Sequence, residues 1–123
     1  MLVRIDPTRA EPVFAQIAGS VRADIAAGRV RAGERLPAAK EVAQALDINL
    51  HTVLHAYREL RDEGLISMRP GRGAVVAELG AALAEMQGEI DRLVERAAAL
   101  GIDGDTLASL VAETTHDRRG TTR

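Results

Sequence analysis

Cysteine and tryptophan are missing from this chain, and Phe14 and Tyr57 are its only phenylalanine and tyrosine. Without cysteine there is neither a disulfide framework nor thiolate chemistry, a composition that suits a reducing cytoplasm. With so few aromatics, the core has to be built from Leu, Val, Ile and Ala, and a core of that kind in 123 residues gains from self-association. No apolar run approaches the roughly 18 residues of a membrane span, and the first residues lack the long apolar stretch of an export signal, so neither a membrane span nor export is expected. Also lacking are a Gly-rich phosphate loop behind a strand, a nucleophile beside a base, and paired acids in a shared pocket. An enzyme is therefore not expected, and no cofactor is implied.

Charge of one sign is scarce too. The formal net charge is −2, but residues 1–76 hold 11 Lys/Arg against 9 Asp/Glu, while residues 77–123 hold 5 against 9. So weak a field does not hold nucleic acid by itself; any such binding has to rest on a few placed cations and on pairing of subunits.

What is present is organised around Pro37 to Val76. A short helix is predicted over Ala38–Leu46, then a turn at Asp47-Ile48-Asn49, then a helix over Leu50–Glu63 stopped by Gly64. Two short strands follow, Leu65–Arg69 and Ala74–Val76, joined at Pro70-Gly71-Arg72-Gly73. Two helices across a tight turn, backed by a hairpin with an arginine between glycines, read as a winged helix-turn-helix that binds duplex DNA. Val42, Ala43 and Leu46 point inward from the first helix, and Lys40 and Glu41 outward. In the second helix, Asn49 is a suitable N-cap and Val53, Ala56, Tyr57 and Leu60 form the apolar stripe. At about 100° per residue, His51, His55 and Arg58 fall on the opposite face. The Tyr57 ring is expected to pack, with its hydroxyl in reach of a phosphate. His51 and His55 have the spacing of a metal pair, but no third ligand matches them, so no metal site is expected.

Upstream, Met1–Arg9, with its alternation of Leu2, Val3 and Ile5, reads as a short edge strand or a loose arm, the arm being preferred. Pro12 opens a helix with Val13, Phe14, Ile17, Ala18, Val21 and Ile25 on one face and Gly28 as its stop. Arg35-Leu36 is expected to form a very short strand. Downstream, Leu79, Leu83, Met86, Ile90, Leu93, Ala97 and Leu100 step alternately by four and three residues. This heptad repeat asks for a partner helix. Gly101 breaks it, and Asp103 or Asp105 caps a last short helix whose Leu107, Leu110 and Val111 fold back over the end of the first. The resulting domains are 10–76, the DNA-binding unit; 77–115, a two-helix dimerisation region; and 116–123, a disordered tail.

The run Leu36-Pro37-Ala38-Ala39-Lys40-Glu41-Val42-Ala43, then Thr52-Val53 and Tyr57-Arg58-Glu59-Leu60, Glu63-Gly64-Leu65-Ile66 and Arg69-Pro70-Gly71-Arg72-Gly73, resembles the GntR family of bacterial transcription regulators. The tail, Ala98 to Asp103 and then Leu107, Leu110 and Val111, resembles the family's short YtrA-type branch. The resemblance implies DNA contacts at Lys40, at Leu50, His51, Thr52 and Leu54 of the recognition helix, and at Gly71, Arg72 and Gly73 in the minor groove. Leu50 and Leu54 stand where many members carry polar residues. Larger members have a separate ligand-binding domain; here only the interface between subunits offers room for a small effector.

The expected protein is thus mainly α with a small β wing: a homodimeric repressor on an inverted-repeat operator. His51, Thr52 and His55 read bases, Arg58 holds phosphate, Lys40 and Arg72 anchor either side, and Leu79, Leu83, Met86, Ile90, Leu93 and Ala97 make the dimer. The alternative is a winged-helix module that recruits a partner protein and binds DNA weakly, which the acidic balance favours and the Gly-Arg-Gly tip opposes.

Overall fold

A computed structural model describes residues 3–121. In chain order the elements are α1 (Val13–Ala26), α2 (Ala39–Leu46), α3 (Leu50–Asp62), β1 (Ile66–Arg69), β2 (Gly73–Val76), α4 (Leu79–Ala99) and α5 (Gly104–Thr121). They divide into two compact units, Met1–Met86 and Gln87–Arg123.

In the first unit, α1 starts directly behind Pro12, whose ring holds φ at −57°, and it ends at Gly28 with φ at +77°, a backbone setting that costs glycine nothing. Ile17, Ala18, Val21 and Ile25 of α1 are buried in one cluster with Val42 and Ala43 of α2, Val53, Ala56, Tyr57 and Leu60 of α3, and Ile66, Ala74 and Val76 of the hairpin. The apolar stripes read from helical periodicity are therefore the faces that meet. β1 and β2 pair antiparallel, with Ile66 opposite Val76 and Arg69 opposite Gly73. The strand expected at Arg35-Leu36 is a single bridge from Arg35 to Val75, flanked by Leu36 N–H to Ala74 C=O and Val76 N–H to Glu34 C=O, both 2.9 Å. Pro37 has no N–H with which to extend it.

The loose arm is not what forms, although Met1 and Leu2 lie outside the described residues. Val3 and Ile5 pack on the core, and the buried Gln16 side chain clamps the segment. Its amide oxygen accepts from Asp6 N–H at 2.6 Å, and its amide nitrogen donates to the carbonyls of Asp6 at 3.0 Å and Glu11 at 2.9 Å. A glutamine on an apolar helix face has to find such partners, because burying an amide without hydrogen bonds costs free energy.

The first unit also runs further than the wing. A Cβ at Gly80 would lie 2.8 Å from Val76 Cγ1 and 3.1 Å from Ile25 Cγ2, so the opening of α4 sits hard against α1 and β2. Leu83, expected on the seam for a second subunit, packs on this same core.

In the second unit, α4 closes at Gly101, φ +79°, with Ile102 N–H returning to Ala97 C=O at 2.8 Å. Asp103 then caps α5 by accepting from Thr106 N–H at 2.8 Å. The expected disorder from His116 does not hold as far as Thr121, since α5 continues to that residue; Thr122 and Arg123 lie outside the described residues. Once a capped helix is nucleated, each further residue adds a backbone bond, and Arg118 and Arg119 complement the negative end of its dipole. Leu110 and Val111 were expected to be covered by α4 and remain exposed. Ala97 is the seam residue that is already buried in a single chain.

Candidate nucleic-acid interface

The turn between α2 and α3 is built by two short polar side chains. Asp47 takes the left-handed conformation, φ 53°, which its small side chain tolerates. Asn49 Oδ1 accepts from His51 N–H at 2.7 Å and so starts α3. From that cap, Val53, Ala56, Tyr57 and Leu60 turn inward and His51, His55 and Arg58 are exposed, with Leu50 also exposed and Thr52 and Leu54 half-buried. The face expected to meet DNA is therefore the face left open.

Two contacts on α3 were not expected. His55 does not stand free: its ring stacks on Phe14 of α1, with centroids 3.8 Å apart and planes inclined by 15°. The partners lie 41 positions apart in sequence, so no local pattern signals the pairing. The Tyr57 hydroxyl, expected within reach of a phosphate, donates instead to Pro37 C=O at 2.6 Å. Burial pushes this phenol up to about 12, because the charged form would lose its hydration. Tyr57 thereby ties α3 to the start of α2. That start carries no side-chain cap, so its first N–H groups, with exposed Lys40 beside them, lie open to an anion.

The wing completes the surface. Its tip turns through Arg72 N–H to Arg69 C=O at 3.1 Å, with Gly71 at φ +79° and Gly73 at φ +69°, and it holds Arg72 exposed. A groove of about 400 Å³ joins the three elements, lined by Ala38 just before α2, Ala39 of α2, Leu54 of α3 and Met68, Arg69 and Ala74 of the hairpin. On the other flank of the tip, Arg35 reaches to 3.5 Å of Gly71 C=O, and Arg29, Arg35 and Arg72 line a cleft of about 590 Å³. Neither Arg35 nor Arg69 is among the DNA contacts expected from the sequence, although both lie in stretches that the sequence marks as strand and wing. Only the alternation of the hairpin and the bridge to Val75 point to them.

Ion pairing shows why net charge misleads. Arg9, Arg22, Arg29 and Arg61 are engaged by Glu11, Glu63, Asp24 and Asp62 respectively. The fork from Arg22 to Glu63, at 3.0 and 2.7 Å, raises the pKa of the guanidinium and fastens α1 to the end of α3. Among the described residues Lys40 of α2, Arg58 of α3 and Arg69 and Arg72 of the wing have no ion pair, as is also true of Arg4, Arg31, Arg35, Arg92 and Arg96. The described residues include no group of three His, Cys, Asp or Glu suited to a metal, and none of their helices is long and apolar enough to cross a membrane.

A capped, outward-facing second helix beside a cationic hairpin defines a winged helix-turn-helix of the DNA-binding kind. Residues 14–76 match the model for bacterial regulatory proteins of the gntR family. The chain belongs to that family. It is 31% identical over 102 residues to the HTH-type transcriptional repressor YtrA of Bacillus subtilis, covering 83% of this chain and 78% of the relative. Among solved structures it resembles YtrA from Sulfolobus acidocaldarius, a GntR-family transcription factor, at TM-score 0.60 and 31% identity, over 80% of this chain and 99% of that one. It also resembles the AraR DNA-binding domain in complex with operator ORX1, at TM-score 0.55 and 25% identity, over 60% of this chain and 92% of that one.

Proposed function

We propose that this winged-helix regulator is a cytoplasmic homodimeric repressor that occludes a promoter by occupying an inverted-repeat operator. The observation that carries the proposal is the continuous surface of α3, the uncapped start of α2 and the wing, with Lys40, Arg58, Arg69 and Arg72 unengaged by carboxylates. On it His51, Thr52 and the Phe14-backed His55 face base edges. Leu50 and Leu54 offer apolar contact to thymine methyl groups, and Arg58 and Lys40 hold phosphates. Gly71 and Gly73 allow the backbone to approach the minor groove, where Arg72 enters.

Two subunits are needed because one recognition helix reads a single half-site. Leu79, Met86, Ile90 and Leu93 are exposed along α4, and they supply the apolar surface for pairing. The repressor named in Bacillus subtilis and the operator complex of AraR are consistent with this assignment. Selection of bound duplexes from a random pool tests it. The expected product is an inverted repeat, with an affinity that falls steeply as salt rises. Recovery of no common sequence, with a flat salt dependence, would overturn it in favour of a protein-recruiting module.

A further inference from the structure

The heptad face of α4 carries one pair of opposite charges on a single edge. On the heptad of α4, Ile90 and Leu93 are core positions and are 38% and 46% exposed. Glu89 and Arg96, one heptad apart, flank this core on the same edge; Asp91, Arg92 and Glu95 lie off it. Among the described residues neither Glu89 nor Arg96 makes a side-chain hydrogen bond or ion pair, and both are exposed. We propose that α4 pairs with α4 of a second copy in antiparallel fashion, Ile90 against Leu93 of the other copy, so that Glu89 of each copy meets Arg96 of the other. This rests on the homodimer reading above and adds its geometry.

The alternatives are poorer in charge. An antiparallel pair shifted by one layer towards the N-terminus sets Met86 against Ile90 and brings Glu89 against its own copy. The shift towards the C-terminus sets Leu93 against Ala97, which is already buried, and brings Arg96 against its own copy. A parallel pair places Glu89 beside Val94 and Arg96 beside Gly101, with no opposite charge in reach. In antiparallel pairs the flanking positions on one edge face each other, and opposite charges there select the register. Val94, 52% exposed, lies on the other edge and extends the apolar contact. Leu110 and Val111 of α5, also exposed, are available to widen it beyond a single helix pair, which a stable dimer requires.

Charge exchange on the full chain tests the register by sedimentation equilibrium. Glu89→Arg alone and Arg96→Glu alone should each weaken dimerisation roughly tenfold, because two symmetry-related pairs turn from attraction to repulsion. The double variant Glu89→Arg/Arg96→Glu, with both charges exchanged in one chain, should return to the wild-type dissociation constant. An equimolar mixture of the two single variants should form mixed dimers of wild-type strength. The off-edge exchange Arg92→Glu/Glu95→Arg should change nothing. If the single variants dimerise as tightly as wild type, or the double variant stays as weak as the singles, the antiparallel register is wrong while the dimer stands. A wild type that is monomeric at micromolar concentration overturns both.

Discussion

Tyr57 shows how much one residue carries here. Its ring is in the core and its hydroxyl holds the carbonyl of Pro37, so it stabilises the fold and also fixes where α2 begins. The substitution Tyr57→Phe keeps the ring and should lower stability by about 0.5–1.5 kcal/mol, the usual net value of such a hydrogen bond; urea denaturation measures it. The phenol also predicts a pH dependence. Its folded pKa, about 12, lies above the unfolded value near 10, so the folded state holds the proton more tightly. Stability should therefore be complete below pH 10 and fall as pH rises towards 12, and Tyr57→Phe should lose much less over that window.

The two histidines of α3 should differ in kind. His51→Ala should reduce specific DNA binding and leave the melting temperature unchanged. His55→Ala should reduce both, because it also removes a ring stack worth about 0.5–1.5 kcal/mol. Equal behaviour of the two variants would show that the Phe14 contact contributes nothing. Arg72→Ala should weaken binding to A·T-flanked sites more than to G·C-flanked ones, since only a narrow minor groove draws arginine in. Competition titrations on paired duplexes decide it.

At the level of elements, α4 contains two glycines with opposite expectations. Gly88 has open surroundings, its nearest neighbour being Arg92 Nη2 at 3.7 Å, so Gly88→Ala should raise stability by up to about 1 kcal/mol through helix propensity. Gly80 has no such room. Gly80→Ala drives a methyl into Val76 and Ile25 and should destabilise by about 1–3 kcal/mol despite the better propensity. Thermal melts of the two variants moving in the same direction would contradict the close approach of α4 to α1 and β2.

These elements were legible in the sequence where a local rule applies. Pro12, Gly28, Asn49, Gly64 and Asp103 mark starts and stops, and periods of about 3.6 and 2 residues give the buried faces. Contacts between distant residues were not legible. The Phe14–His55 stack, the Gln16 clamp on Asp6 and the docking of Leu83 depend on how helices pack, which no window of sequence reports. The end of α5 is not legible either, because its polar composition is also that of a disordered tail, whereas a capped helix continues through polar residues without strain.

For the whole molecule, the account is that specificity comes from linking two weak readers. One first unit balances 11 Lys/Arg against 11 Asp/Glu, so a single half-site contributes modest affinity, and the second contact multiplies it through effective concentration. Ile90→Asp places a carboxylate on both sides of the α4 seam, and an unpaired buried charge is costly. That variant should be a folded monomer with weak, salt-sensitive binding and little preference for an inverted repeat. The direct test is the wild-type affinity for a selected whole site compared with a duplex carrying only one half-site, at the same ionic strength. Binding to the whole site at least about a hundredfold tighter, the usual range for linked sites, is the predicted result. Equal affinity for whole site and half-site would contradict the account.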